Sequence, residues 1–299
     1  MTTIGVAVLT KKRLSDPTLL DLLKAFDKVV VGFTGDESFI PYPVGVTPAD
    51  LCMVGIQWTD SFSEARNKLL AHCTTDWVLW LDADEEIDPK EWGRSVRRRL
   101  ARDEHISAYR LDLKNIVPDS NRVMGLDPLP LPDGTFASYH RGAMLRLHRN
   151  LPGISWKYRV HESLAPSLAT EGRAIGEMRK TITHRGEVDR AVLAAKHWYY
   201  YGLSKKDSEE NPKSPKCWFN LLAEAQAFGD WEVALDACRK YWSLTLFSST
   251  YVFEIAAISQ YNLGEMKEAQ RYAEQIIARD PSNPIAVDIL AECTAPSKG

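Results

Sequence analysis

The run Trp77-Val78-Leu79-Trp80-Leu81-Asp82-Ala83-Asp84-Glu85-Glu86 joins five apolar residues directly to a cluster of carboxylates. Asp82 and Asp84 are two apart, and in extended backbone residues two apart point the same way. Such a pair can hold one hard divalent cation through oxygen while a substrate phosphate completes its shell. The chemistry implied is transfer from a diphosphate. A continuous apolar run fits a strand covered on both faces, and open α/β sheets bind ligands beyond the carboxyl ends of their strands. The acids therefore belong at the edge of a buried sheet.

By itself Asp-x-Asp is equally an acidic turn after a strand, so the residues upstream decide its meaning. Ser61-Phe62-Ser63-Glu64 has capping-box spacing. The segment from Phe62 to about Cys73 places Ala65, Leu69 and Leu70 on one helical face, and Thr74-Thr75-Asp76 ends it. The predicted order is helix, turn, buried strand, acids. In this stretch Trp58-Thr59-Asp60-Ser61-Phe62-Ser63-Glu64-Ala65-Arg66-Asn67, followed by Asp76 to Glu85, closely resembles the family 2 glycosyltransferases of the GT-A fold.

The resemblance implies a nucleotide-sugar donor at the ends of the first two strands, beside Thr10-Lys11-Lys12-Arg13 and Gly32-Phe33-Thr34-Gly35-Asp36. The donor-binding residues it points to are Thr10, Asp36, Arg66, Asn67, Asp82 and Ala83. Where the family usually has an acid directly after the second strand, this chain has Gly32, with Asp36 four residues on. A divalent cation, Mn²⁺ or Mg²⁺ by its oxygen ligation, falls to Asp84, with Asp82 aiding through the ribose or as a second ligand. His184, in Thr181-Ile182-Thr183-His184, matches the place of a third ligand; His161 competes for that role, and Glu85 is a further possibility. An inverting transfer also needs a base opposite the anomeric carbon. Arg159-Val160-His161-Glu162 resembles the family's Val-His-Glu element and makes Glu162 that base, with Ser155-Trp156-Lys157-Tyr158 shaping the acceptor pocket. The competing plain readings are a structural histidine at 161 or 184 and a helix-surface ion pair at Arg66.

The remaining sequence must position these groups. Ile4 to Leu9 and Val29 to Val31 are apolar runs separated by helical spacing from Leu19 to Phe26, a β-α-β opening. Gly55 to Trp58 reads as an edge strand, Ser107 to Asn115 and Ala143 to Leu147 as further strands, and the Pro- and Gly-rich Pro118 to Gly134 as a loop covering the acceptor site. Pro89 opens a helix from about Lys90 to Arg102, on which Arg94, Arg98 and Arg102 share a face. That face is read as solvated, with docking of an anionic acceptor as the sharper alternative.

From about Glu187 the texture turns wholly helical. Gly229-Asp230 recurs as Gly264-Glu265 and Ala234 as Ala269, 35 residues apart, near the tetratricopeptide period. Trp218, Leu221 and Ala234, then Phe253, Ala256, Ala257, Ala269, Ala273 and Pro281, fit large and small positions of two repeats; Cys238 and Leu246 depart from the pattern. Asn283 to Glu292 closes the array and Arg190 to Leu203 packs at its front, with the aromatic cluster from His197 to Tyr201 read as core at the junction of the two domains, against a sugar-stacking role. The expected fold is an α/β GT-A (Rossmann-like) nucleotide-sugar-binding domain over 1–188 and an all-α tetratricopeptide-like domain over 189–299.

Composition agrees with this plan. Of the 299 residues 44% are hydrophobic and 26% charged, which excludes wholesale disorder, and a net charge of −3 argues against a uniformly basic nucleic-acid surface. No stretch reads as a membrane span, the start reads as a first strand rather than a leader, and five scattered cysteines read as reduced thiols, so the expected location is cytoplasmic. The partners implied are a nucleotide sugar and an acceptor peptide, glycan or modified nucleic acid, with a homodimer through the repeats. Two other classes compete. One is an interaction protein whose transferase domain has decayed, for which Gly32 is the hint. The other is a nucleotidyltransferase, disfavoured because Thr10-Lys11-Lys12-Arg13 lacks glycine.

Overall fold

The computed structural model describes residues 1–11, 14, 16–35, 50–118, 127–130, 136–185, 190–246 and 249–294. The chain divides into two compact units, Met1–Tyr158 with Glu162–Asp189, and Arg159–His161 with Arg190–Gly299. The first is an α/β unit and the second is all-α.

In the first unit β1 (Ile4–Thr10), α1 (Asp16–Ala25), β2 (Lys28–Phe33), β3 (Leu51–Gly55), α2 (Phe62–Leu70) and β4 (Trp77–Asp82) build a parallel half-sheet. Then follow β5 (Glu85–Glu86), a 3₁₀ turn at Pro89–Trp92, α3 (Arg94–Arg102), β6 (Ile106–Pro118), β7 (Asp127–Pro130), β8 (Phe136–Arg149), α4 (Ala165–Thr170) and β9 (Ala174–Arg185). The strands lie in the order β3-β2-β1-β4-β8-β6-β9-β5, with β7 paired to β8. The half beyond β4 is mixed, since β8 runs antiparallel to both β4 and β6, while β6 and β9 are parallel.

Trp77 to Leu81 is at most 2% exposed because both faces of β4 are covered. Trp77, Leu79 and Leu81 pack with Leu22 and Phe26 of the α1 side and with Val96 and Leu100 of α3. Val78 and Trp80 face the other way, against Ala65 and Leu69 of α2 and Leu164 and Leu168 of the α4 region. The alternation of one apolar run between two layers explains why the strand has no polar face.

Several boundaries differ from the sequence reading. The edge strand is Leu51–Gly55, ahead of the expected Gly55 to Trp58, because the apolar run from Leu51 to Val54 pairs with β2. Helix α2 stops at Leu70, where Thr75 donates to the Trp77 carbonyl and Asp76 accepts from the Thr3 amide, drawing the chain into the sheet. The arginine helix is broken at Gly93, whose extended backbone (ψ −154°) separates the 3₁₀ turn from α3. Arg97 and Arg99 are anchored inward, to Asp27 and to the Glu177 carbonyl, while Arg94 and Arg98 are exposed. Part of the expected lid, Asp127–Pro130, is strand paired with β8; residues 119–126 and 131–134 of that lid lie outside the described residues.

Gly32 lies inside β2 rather than after it. A Cβ there would sit 3.0 Å from Leu69 Cδ1 and 3.1 Å from Ile56 Cγ1. The glycine is what lets α2 close onto the sheet, so its presence has a packing cause and is no sign of decay.

The second unit stacks α5 (Arg190–Glu210), α6 (Pro215–Phe228), α7 (Trp231–Leu244), α8 (Thr250–Asn262), α9 (Met266–Ile277) and α10 (Pro284–Thr294). Gly229 and Gly264 both end their helices in the left-handed region (φ 71° and 81°), so the repeat is one of backbone shape as well as sequence. Ala234 and Ala269 are fully buried, as small residues between closely approaching helices must be. Cys238 is buried at its repeat position and Leu246 is fully exposed. Asn283 Oδ1 caps α10 by accepting from the Ala286 amide. Of the aromatic cluster, Tyr201 is buried, stacks on Phe228 and donates to Asp230, while His197 and Trp198 are exposed rather than core. Among the described residues no helix is long and apolar enough to cross a membrane. All five cysteines are unbridged, and burial pushes the Cys73 and Cys238 thiols up to about 12.

Candidate active site

The acids emerge where β4 ends. Asp82 is its last residue, Ala83 and Asp84 are exposed, and Glu85 begins β5 and is buried. Asp82 is the centre of an ion-pair network. Its Oδ1 accepts from Arg66 Nη2 at 2.6 Å and its Oδ2 from Arg146 Nη2 at 2.7 Å. Arg146 Nη2 also donates to Glu85 Oε1 at 2.8 Å, and Glu85 Oε2 accepts from the Asp82 amide at 2.8 Å. Arg66 Nε donates to Glu162 Oε1 at 2.6 Å. One chain of charges thus links Glu162, Arg66, Asp82, Arg146 and Glu85.

Arg66 comes from α2, which Ser61 starts by accepting from the Glu64 amide, as the capping-box spacing predicts. Far from a surface pair, Arg66 has its side chain only 4% exposed. Its guanidinium carbon lies 5.3 Å from the Trp80 ring and 4.9 Å from the Trp156 ring. Asn67, next on the helix, clamps the segment that carries Trp156: its Nδ2 donates to the Trp156 carbonyl and its Oδ1 accepts from the Trp156 amide, at 2.9 and 2.8 Å. This doubly bonded strut places Glu162, six residues later, within reach of Arg66.

The electrostatics follow from burial against pairing. Burial disfavours the charge on Arg66, but Asp82 and Glu162 overcome it and hold the guanidinium above its ordinary pKa. Burial also works against the Asp82 charge, and Arg146 and Arg66 more than reverse it, so the carboxyl lies far below the usual range. For Glu85 burial and the neighbouring Asp82 charge win over Arg146, and its pKa is raised.

The second cluster is Asp84 with His184. Glu85 pairs with His184 in the β5–β9 ladder, which brings His184 Nε2 to 3.2 Å from Asp84 Oδ2. His184 Nδ1 lies 2.9 Å from Asn115 Oδ1, which orients the ring. The hydrogen bond to Asp84 raises the His184 pKa above its ordinary value. Two ligands at right angles and about 2.1 Å from one ion lie about 3 Å apart, so the Asp84–His184 spacing fits a shared divalent cation. Among the described residues no group of three or more His, Cys, Asp or Glu has metal-site geometry. The remaining positions would fall to ligand oxygens and water.

Of the other residues named from sequence, Thr10 closes β1 and its carbonyl accepts from the Thr34 amide. Asp36 lies outside the described residues. His161 belongs to the second unit, where its Nε2 is 3.0 Å from Glu224 Oε1; His197 Nδ1 is 3.1 Å from Glu224 Oε2. Sequence reasoning missed Arg146. The one signal it offered was a charged residue inside an otherwise apolar strand pattern, Leu145-Arg146-Leu147. Arg66 Nη1, Arg146 Nε and Trp156 Nε1 are buried and make no protein hydrogen bond.

Residues 52–158 match the family described as glycosyl transferase family 2. The first unit carries a family 2 glycosyltransferase domain. The matched segment contains Arg66, Asn67, Asp82, Asp84 and Arg146; Glu162 and His184 follow it. A tetratricopeptide repeat-containing protein of Synechococcus elongatus is 39% identical over 66 residues, 22% of this chain and 16% of that protein, so the chain spans about one sixth of that relative. Among solved structures, S. aureus TarS in complex with UDP is similar over 95% of this chain and 93% of that one, at 11% identity and a TM-score of 0.45. The first tetratricopeptide domain of human RPAP3 is similar over 35% of this chain and 81% of that one, at 18% identity and a TM-score of 0.30. The glycosyltransferase domain thus stands in one chain with a tetratricopeptide-like helical unit.

Proposed function

We propose that the protein is a metal-dependent, inverting glycosyltransferase that moves a sugar from a nucleotide-diphosphate sugar to an acceptor recruited in part by the helical repeats. The observation that carries this reading is the pairing of Asp84 with His184 at 3.2 Å beside the Asp82–Arg66–Glu162 chain. A bound Mn²⁺ or Mg²⁺ would neutralise charge on the departing diphosphate. Asp84 and His184 would hold the ion, and Asn115 orients the imidazole through its Nδ1. Asp82, fixed by two arginines and with its side chain 37% exposed, offers its outer edge to the donor's ribose. Buried donors on Arg66 and Trp156 that lack protein partners suit an oxygen-rich ligand.

Glu162 takes the acceptor's proton as the acceptor atom attacks the anomeric carbon and the bond to the diphosphate breaks. Its Oε1 is engaged by Arg66, so the proton goes to Oε2. Arg66 keeps the carboxylate aimed. Residues 1–188 are then the catalytic domain, and residues 189–299 serve acceptor capture. The acceptor class this serves is a peptide, glycan or other polymer that the repeats can grip.

The test is a thermal-shift panel of UDP-, GDP-, dTDP- and CMP-linked sugars, with and without Mn²⁺, on wild type and Asp84→Ala. A donor that binds the native state raises its melting temperature by mass action. The expected result is a Mn²⁺-dependent shift with one donor that disappears in Asp84→Ala, with the variant's unliganded melting temperature close to wild type because Asp84 is half exposed. A shift that survives the substitution removes Asp84 from the site, and no shift with any donor overturns the transferase reading.

A further inference from the structure

Arg146 lies at an irregularity in the sheet. Along the β6–β8 pairing Ala108 faces His148 and Tyr109 faces Leu147, but Arg110 faces Leu145. Arg146 is therefore the extra residue of a β-bulge, a device that re-aims a side chain and turns a strand away from its neighbour. On its other edge β8 pairs with β4 only as far as Leu79–Leu147. Beyond that point β4 continues to Trp80, Leu81 and Asp82 paired with β1 alone, and on its other edge the Arg146 side chain reaches Asp82. It is 5% exposed, among the least accessible charges in the chain.

One nitrogen of this guanidinium, Nη2, meets both Asp82 Oδ2 and Glu85 Oε1, while the other oxygen of Glu85 accepts the Asp82 amide. The four-residue turn 82–85 is thereby closed into a ring: backbone amide to Glu85, Glu85 to Arg146, Arg146 to the Asp82 carboxylate. Residues 83 and 84 are its exposed members. Glu85 is also the residue whose ladder pairing sets His184 opposite the turn. Removing the arginine leaves two carboxylates facing one another, and the turn loses the group that fixes Asp84 relative to His184.

We propose that Arg146 is a positioning residue that uses the β8 bulge to lock the Asp82–Glu85 turn and so holds Asp84 at metal-binding distance from His184. The proposal rests on the Asp84–His184 cation site argued above. It assigns to a residue remote from the reacting atoms the control of donor affinity. Residues behind metal ligands typically govern affinity by 10- to 100-fold.

The experiment uses the full chain with two variants: Arg146→Lys, which keeps charge but loses the planar fork, and Arg146→Met combined with Glu85→Gln, which removes both buried charges together so that folding survives. Mn²⁺ binding, with and without UDP, is followed by the loss of the free-ion electron paramagnetic resonance signal. Exchange of the Asp82 amide is followed by NMR beside that of Val6 in β1 and Leu79 earlier in β4. The expected result is a dissociation constant for Mn²⁺ raised about tenfold or more and faster exchange at Asp82, with Val6 and Leu79 unchanged. The lysine variant should fall between wild type and the double variant. A merely structural arginine would lower the melting temperature and leave Mn²⁺ affinity of the folded protein unchanged, which overturns the proposal. Should wild type itself bind no Mn²⁺ even with UDP, the cation reading fails separately. Exchange at Asp82 then decides alone, and protection equal to wild type in both variants overturns the positioning role.

Discussion

Lowering the pH from 7 to 4 should destabilise the first unit through one side chain, His148. It is fully buried, its Nε2 accepts from Trp80 Nε1 at 2.9 Å, and its Nδ1 donates to the Arg149 carbonyl at 2.8 Å. Burial therefore holds the ring neutral and lowers its pKa to about 4, against about 6.5 for an ordinary histidine. The unfolded chain takes up the proton first, so the stability held above pH 6.5 is lost as pH falls toward 4. A difference of roughly 2.5 units at 1.36 kcal/mol each is about 3 kcal/mol. Since Trp80 also faces Arg66, the loss should reach the acid network and with it donor binding. The assay is urea unfolding followed by tryptophan fluorescence at several pH values, comparing wild type with His148→Gln, whose amide oxygen can still accept from Trp80 but does not titrate. The carboxylates with lowered pKa values, such as Asp76 and Asp103, lose stability equally in both proteins, so the difference isolates the histidine. Equal losses between pH 7 and 4, or a His148 ring that titrates near 6.5 by NMR in the folded state, would refute the reasoning.

Three other outcomes are expected. Glu162→Gln should leave the donor-induced thermal shift in place and slow release of nucleoside diphosphate by about 10²- to 10⁴-fold, the usual range for a lost general base. Gly32→Ala should destabilise by about 1–3 kcal/mol, because the new Cβ meets Leu69 and Ile56 at 3.0–3.1 Å; a melting temperature equal to wild type would show that α2 yields freely. Gly264→Ala meets no atom within 4 Å, so its cost is the left-handed backbone alone, about 1–2 kcal/mol by calorimetry, and a cost near zero would mean that the helix end changes shape.

Much of the architecture was legible from local pattern. The alternation of an apolar run with a capped helix located β4 and α2, since burial on both faces leaves an unbroken apolar word in the sequence. The 35-residue spacing of Gly229 and Gly264 located the repeat, because only a residue without a Cβ adopts that helix end cheaply. What stayed illegible was set by partners distant in sequence. Gly32 stands where an acid is usual, and its cause, Leu69 lying against it, comes from a helix 37 residues further on.

The sequence by itself determined which side chains are available: two acids at a strand end, an Arg-Asn pair on the helix before them, and a histidine and a glutamate downstream. Only the tertiary structure decided how these divide. Asp82 is drawn to Arg66 and Arg146, Asp84 to His184, and Glu162 to Arg66, across separations of 16, 64, 100 and 96 residues. An ion pair is a matter of a few ångströms in space, and spacing along the chain carries no trace of the bulge at residue 146 that aims one of its partners.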